Sequence, residues 1–318
     1  MRKKNSKKMF NKEFNSLIEV IQQYSTEEAC IKHLEELYWQ GVPTSPFVEG
    51  SKVYTCKNGK YRCKESGKYF TVKTGTMFDG TRIPLTAWFA SIYLVINHKK
   101  GISSLQLQRD LGGKWSQKTC WCLLMRIRKA LGIENYNELE GIVEADESFY
   151  GGKNKNRHAN KKVKNSQGRS FKDKTPIVGL IQRGGKMTAI VTKDTQKDSI
   201  QPIIRKYVAK GSTLISDDWK GYHGIESHVH HYSIKHADKG YKSDYDSTIH
   251  TNNIEGSWKI MKNSLRDMYN HVSRKHLQAY VNEFVFRYNT RQIKSGERFN
   301  YLLLNSNVRT KYKDLINA

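Results

Sequence analysis

The sequence predicts an α/β fold: a central mixed sheet with helices on both faces, preceded by a small β ribbon and a helical region. Three observations predict it. Apolar residues recur at helical spacing over residues 14–39 and again over 84–131. A Gly-, Lys-, Tyr- and Thr-rich stretch at 41–75 alternates with period two. From residue 141 onward, strand-like runs are interleaved with amphipathic helices.

The first fifteen residues are basic and polar. Phe14, Leu17, Ile18 and Ile21, then Ala29, Ile31, Leu34 and Leu37, give two short helices. Lys52-Val53-Tyr54-Thr55 and Lys68-Tyr69-Phe70-Thr71-Val72 read as strands of a small antiparallel unit. Pro84 suits a helix start, and Leu85, Trp88, Phe89, Ile92, Tyr93 and Ile96 line one face. Ile102–Leu111 forms a short helix, Gly112-Gly113 a turn, and Ser116 caps a third helix running to Leu131. Helix, glycine turn, helix is the helix-turn-helix pattern, and its last helix presents Lys114, Gln117, Lys118, Arg126, Arg128 and Lys129. An ordinary helical bundle with solvated basic faces is the alternative. Further on, Gly141–Tyr150 is a strand, and Pro176–Ile181 and Lys186–Thr192 flank the hairpin turn Gly184-Gly185. Asp198–Val208 is a helix, Ser212–Ser216 and Val229–Ile234 are strands, and Asn252–Met268 and Lys275–Arg291 are helices. This order matches a ribonuclease H-like mixed-sheet arrangement.

Charge narrows the function. Lys and Arg number 55 against 30 Asp and Glu, a net charge of +25 in 318 residues. A field this positive concentrates polyanions and releases their counterions on binding, which makes nucleic acid the expected partner. The apolar stretch Ile83–Ile96 is too short for a bilayer and is broken by Pro84 and Thr86, so no membrane role is expected. Five scattered cysteines read as reduced cytosolic thiols. The tract Lys153–Lys174 holds nine Lys or Arg, Lys161 and Lys162 among them, against one Asp, and suggests a DNA-gripping loop.

Three acids fall where chemistry would need them. Asp146 lies within the first strand of the mixed sheet, Asp217 follows the strand Thr213-Leu214-Ile215-Ser216, and Glu255 sits in the first turn of the helix from Asn252. In a ribonuclease H-like sheet the first and fourth strands are neighbours, so the two aspartates converge and a nearby helix supplies the third carboxylate. Hard divalent cations take oxygen ligands, and two of them can serve the attacking and leaving oxygens of a phosphodiester displacement. Taken singly, each acid is as well explained as a turn residue, a surface charge or a helix-dipole partner.

The chain also resembles a known family over residues 25–295. The motifs are Val143-Glu144-Ala145-Asp146-Glu147-Ser148-Phe149-Tyr150-Gly151-Gly152-Lys153; Ser216-Asp217-Asp218-Trp219-Lys220-Gly221-Tyr222; His250-Thr251-Asn252-Asn253-Ile254-Glu255-Gly256-Ser257-Trp258; and His271-Val272-Ser273-Arg274-Lys275-His276-Leu277, running on to Glu283–Arg291. They resemble insertion-sequence transposases of the DDE superfamily, in the IS-fifteen-ninety-five or ISXO-two-like group. The resemblance implies Asp146, Asp217 and Glu255 as catalytic metal ligands, Mg²⁺ or Mn²⁺ as cofactor in two sites, and Lys262 on a terminal DNA phosphate. Asn252 and Asp218 are alternatives at the metal site. Arg287 and Arg291 are further candidates for phosphate or carboxylate contacts. The implied function is a transposase that binds its element ends, cuts double-stranded DNA and transfers strands to a target as a homodimer or higher assembly. A cytoplasmic, nucleoid-associated bacterial protein is expected.

One departure from the family stands out. Relatives carry a four-cysteine zinc ribbon, but 41–47 contains no cysteine and Ser66 stands where the partner of Cys63 would be. The expectation is a ribbon without zinc, held by Tyr54, Tyr61, Tyr69 and Phe70. The expected organisation is then a basic tail and helices at 1–40, a metal-free ribbon at 41–78, a helix-turn-helix region at 79–140, a ribonuclease H-like catalytic domain at 141–295 and a C-terminal tail at 296–318. A DNA-binding protein with an inactive nuclease-like domain, and a nuclease that cuts without joining, are the competing functions.

Overall fold

In the computed structural model, which describes residues 14–152, 154–164, 170, 173–234 and 249–317, two hydroxyl caps start the first helices. Ser16 accepts the Glu19 amide and opens α1 (Leu17–Gln23); Thr26 accepts the Ala29 amide and opens α2 (Glu27–Trp39). The ribbon follows as β1 (Val53–Thr55), β2 (Tyr61–Cys63) and β3 (Tyr69–Phe70), antiparallel in that order. Its inner face is Tyr61, Cys63 and Phe70, packed with Trp39 at the end of α2. The Trp39 ring lies 4.8 Å from that of Tyr61, whose hydroxyl donates to Glu35 at 2.9 Å.

Two of the four aromatics expected to hold the ribbon do not. Tyr54 is 42% exposed and Tyr69 61% exposed. The register explains it: Tyr54 pairs with Arg62 and Arg62 with Tyr69, so all three share the face opposite Tyr61 and Phe70. Cys63 is fully buried among hydroxyls, with its Sγ hydrogen-bonded to Ser51 Oγ at 3.2 Å. Hydrogen bonds from Ser45, Ser51 and Ser66 bring its thiol down to about 6.

Next come α3 (Leu85–Asn97), α4 (Ser104–Asp110) and α5 (Gln117–Leu131). Gly112 and Gly113, both at φ +71°, make the turn between the last two, a conformation that a side chain would strain. Ser116 Oγ then accepts the Thr119 amide at 3.2 Å.

The second unit runs from Gly132 to Asn289. It contains β4 (Ile142–Tyr150), β5 (Thr175–Gln182), β6 (Met187–Val191), α6 (Lys197–Tyr207), β7 (Thr213–Asp217), β8 (His230–Ile234), α7 (Asn252–Tyr269) and α8 (Leu277–Asn289). The sheet order is β6-β5-β4-β7-β8, with β4, β7 and β8 parallel and β5 and β6 antiparallel to their neighbours. On one face Val143, Ala145, Leu180 and Leu214 pack against Ile200, Ile204 and Tyr207 of α6. The opposite face receives α7: Trp258 covers Gly179, where a Cβ would come within 2.4 Å of the indole. Side-chain amides close the β6 edge. Asn289 accepts the Met187 amide at 2.7 Å, Asn135 the Ala189 amide at 2.7 Å, and Gln278 the Val191 amide at 2.7 Å.

The chain then rejoins the first unit, which comprises the residues up to Leu131 together with those from Thr290. The stretch expected as a tail forms α9 (Ser295–Leu304) and α10 (Tyr312–Ile316). Phe299 is fully buried, edge-on to Phe14 at 5.2 Å and to Phe89 at 5.3 Å, and Asn300 Oδ1 bonds His33 Nε2 at 2.8 Å. Among the described residues, no helix is long and apolar enough to cross a membrane.

Candidate metal centre

β4 and β7 pair in parallel only as far as Glu144 and Ile215. Two residues on in the same register, Asp146 stands level with Asp217, the last residue of β7. Here ligand oxygens of Asp146, Glu147 and Asp217 all lie within 4.8 Å of one another. β4 stays paired with β5 here, so Asp146 and Glu147 leave it toward opposite faces, but the β4–β7 ladder has ended and an oxygen of each comes within reach of Asp217 along that open edge. Burial, with Asp217 and Glu255 as further causes, raises the Asp146 carboxyl to about 7. Glu147 is steadied from the other side by Tyr222, a fully buried residue whose hydroxyl donates to it. Burial, then the Glu147 charge, pushes that phenol well above its ordinary value.

Glu255 stands outside this tightest group but lines the same cleft as Asp146 and Glu147. The cleft, of about 430 Å³, continues along α7 past Trp258, Lys259, Lys262, Asn263 and Arg266. Carboxylates at one end and ammonium or guanidinium groups further along α7 make a place for a cation beside a place for phosphate. The donor set is all oxygen, and crowded like charges are relieved by a hard divalent ion, so these residues fit Mg²⁺ or Mn²⁺.

What sets α7 against the sheet is a residue the motif reading passed over. Glu144, fully buried and two residues before Asp146 on the same face of β4, accepts the Asn253 amide at 3.0 Å, the Ile254 amide at 3.1 Å and the Asn253 side chain at 2.8 Å. It thereby caps the positive end of α7 from the neighbouring strand, since Thr251 makes no side-chain cap of its own. Arg183 ties the clamp: its Nε donates to Glu144 at 2.9 Å and its Nη2 to the His250 carbonyl at 2.8 Å. One turn on, Trp258 seats over Gly179, which is the β5 partner of Asp146. Glu255 lies between these two anchors and accepts the Thr251 hydroxyl at 3.0 Å.

The other expected site residues divide. Lys262 is exposed along the cleft. Gln117 and Lys118 are exposed at the start of α5, Gln117 donating to Ser104 at 2.6 Å and Lys118 lying 5.1 Å from the Tyr312 ring. Lys161 and Lys162 are exposed beside the short turn Ala159–Lys161; residues 153, 165–169, 171 and 172 of the basic tract lie outside the described residues, as does the N-terminal stretch 1–13. Arg126 is held by three carbonyls, Thr310 at 2.8 Å, Met77 at 3.3 Å and Asp79 at 3.0 Å, so its guanidinium braces the first unit. Arg287 forms an ion pair with the buried Glu283 and is itself only 10% exposed. Both were expected as DNA contacts, Arg287 alternatively as a carboxylate contact, and among the described residues both guanidiniums are engaged by internal acceptors. Asp218 points away, 47% exposed and 3.8 Å from His223, and Asn252 is exposed at the start of α7.

The second unit is thus an α/β domain that gathers carboxylates from two adjacent parallel strands. Residues 138–289, nearly the whole of the second unit, match the ISXO2-like transposase domain. The chain is 24% identical over 283 residues to an uncharacterized protein in transposable element ISH50 of Halobacterium salinarum, covering 84% of this chain and 92% of that protein. It is also 26% identical over 111 residues to an uncharacterized transposase-like protein of Haemophilus influenzae, covering 35% of this chain and 86% of that protein.

Proposed function

We propose that the protein is a DNA transposase that binds the ends of its own element, cleaves phosphodiester bonds and joins the freed strands to target DNA. The observation that carries this reading is the convergence of Asp146, Glu147 and Asp217 within 4.8 Å at the head of a cleft walled by Lys259, Lys262 and Arg266. Asp146 and Asp217 would hold divalent cations, with Glu255 completing the set and Glu147 a fourth carboxylate at hand. Bound there, such ions supply Lewis-acid charge to the attacking and leaving oxygens of the phosphodiester. The chain's own part is to place the DNA. Lys262 and its neighbours receive the backbone phosphates beside the acids, Tyr222 fixes the direction of Glu147, and the Glu144 clamp fixes Glu255. Gln117 and Lys118 on the helix-turn-helix, with Lys161 and Lys162, are proposed as contacts to the element ends, and two copies would hold two ends together.

The test is Mg²⁺-dependent cleavage and strand transfer on duplexes carrying the element ends. Asp146→Ala, Asp217→Ala and Glu255→Ala should each abolish both reactions and leave end binding intact. Full activity in Asp217→Ala would overturn the assignment. Cleavage without joining in the unaltered protein would make it a nuclease instead.

A further inference from the structure

We propose that the outer face of the β1–β3 ribbon is a binding surface for single-stranded DNA, on which bases stack against Tyr54 and Tyr69. The inference rests on the DNA reading above but concerns a different surface. The register puts Tyr54, Arg62 and Tyr69 in one row across the three strands. Both tyrosines are large aromatics turned to solvent, 42% and 61% exposed. The ladder extends past the strands through the bonds Lys64 N to Lys52 O at 2.9 Å and Cys56 N to Lys60 O at 2.8 Å. Alternation therefore adds Lys52, Lys60 and Lys64 to the face that carries Arg62, and all four are exposed. No carboxylate occurs on the three strands.

This arrangement works against the free protein. Lys52 and Lys64 stand across from each other, and facing like charges destabilise a strand pair. Exposed rings on a short strand gain nothing from water. The rings keep cationic company: the Lys52 ammonium lies 5.5 Å from the Tyr54 ring centre and the Arg62 guanidinium 5.8 Å from that of Tyr69. A polyanion relieves the charge, and a polyanion with accessible π-faces uses the rings as well. A duplex offers only phosphates and groove edges, whereas unpaired bases offer a stacking face. Strands about 4.8 Å apart put the two tyrosines roughly 10 Å from each other, with Arg62 between them, within reach of neighbouring nucleotides of one strand. The surface would thus hold a strand that has come unpaired near a cut end.

The test uses the full chain with a fluorescein-labelled oligothymidylate of about 12 nucleotides, within the usual site size, and a duplex of equal length. Anisotropy titrations compare the unaltered protein, Tyr54→Ala/Tyr69→Ala and Tyr54→Phe/Tyr69→Phe. The alanine pair should lose roughly 10-fold or more on the single strand, with duplex affinity unchanged, and the phenylalanine pair should bind as the unaltered protein does. Arg62→Ala should lower the slope of log affinity against log salt by about 0.7, one single-strand phosphate. Asp146→Ala, the variant that tests the metal centre, should keep full single-strand affinity, so the two readings fail separately. Unchanged single-strand binding in the alanine pair, an equal loss on the duplex, or loss of single-strand binding in Asp146→Ala would each overturn the proposal.

Discussion

Glu144→Ala should uncouple α7 from the sheet. The carboxylate is fully buried and accepts four hydrogen bonds, from Arg183 Nε and from three donors at the start of α7. Alanine removes the acceptor and leaves the helix amides and a guanidinium facing an apolar gap. Breaking a buried pair from one side costs about 3–5 kcal/mol. At roughly 2–4 °C per kcal/mol for a body of this size, the melting temperature should fall by about 6–20 °C. Catalysis should fall further than stability implies, since a displacement of about 1 Å at a reacting group costs around 100-fold. The assay is thermal unfolding alongside Mg²⁺-dependent cleavage measured well below the transition. Glu144→Ala/Arg183→Ala distinguishes the two effects. Removing both charges should recover part of the stability, while cleavage stays low because nothing then caps α7. A melting temperature within about 2 °C of the unaltered protein, together with unchanged cleavage, would refute the clamp.

Three further outcomes follow from the same geometry. Gly179→Ala places a Cβ 2.4 Å from the Trp258 indole, so the ring must move; a loss of about 1–3 kcal/mol with altered tryptophan fluorescence is expected, and an unchanged spectrum would show that Trp258 is not seated there. Asp146 has its folded-state value raised from 3.8 to about 7, so the fold holds its proton longer than the unfolded chain does; its contribution to metal-free stability is greatest below about 4 and is lost as pH rises to about 7. Mg²⁺ should restore stability at the upper end, and Asp146→Asn should remove both effects in calorimetry; a profile identical in the Asn variant would contradict this. Cys63, lowered from 9.0 to about 6, behaves oppositely: its contribution is complete above 9.0 and fades as pH falls through about 6. Cys63→Ser should cost on the order of 1 kcal/mol, and elemental analysis should find no stoichiometric zinc; one zinc per chain, released only on unfolding, would count against the metal-free ribbon.

Long periodic elements were legible, because apolar spacing and caps such as Ser116 are local signals. So was the meeting of Asp146 with Asp217, which needs only the adjacency of the first and fourth strands. Glu147 was not: its place depends on where the β4–β7 ladder stops, and nothing near it in the sequence marks that. Glu144 was hidden for a similar reason, since an acid in an alternating strand reads as the solvent side until a helix end is known to cover it. The internal partner of Arg126 was not legible, because basic charge on a helix looks alike whether it faces phosphate or a carbonyl 184 residues away, as with Arg126 and Thr310. Tyr54 and Tyr69 could have been placed by alternation, but strands of two and three residues leave the phase open until the register is known. The helical spacing of Phe299, Leu302 and Leu303 was the signal for α9.

The return of α9 to the first unit has a consequence for biosynthesis. The aromatic cluster of Phe14, Tyr24 and Phe89 is finished by Phe299, and Arg126 is braced in part by Thr310. A nascent chain therefore has every residue of its sheet domain, which ends at Asn289, before it has the last pieces of the unit that began it. At about 5–20 residues per second the interval is a matter of seconds. During that time α5 lacks the last of the carbonyls that hold Arg126, so the sheet with its carboxylate cluster is complete in sequence before the unit that opened the chain.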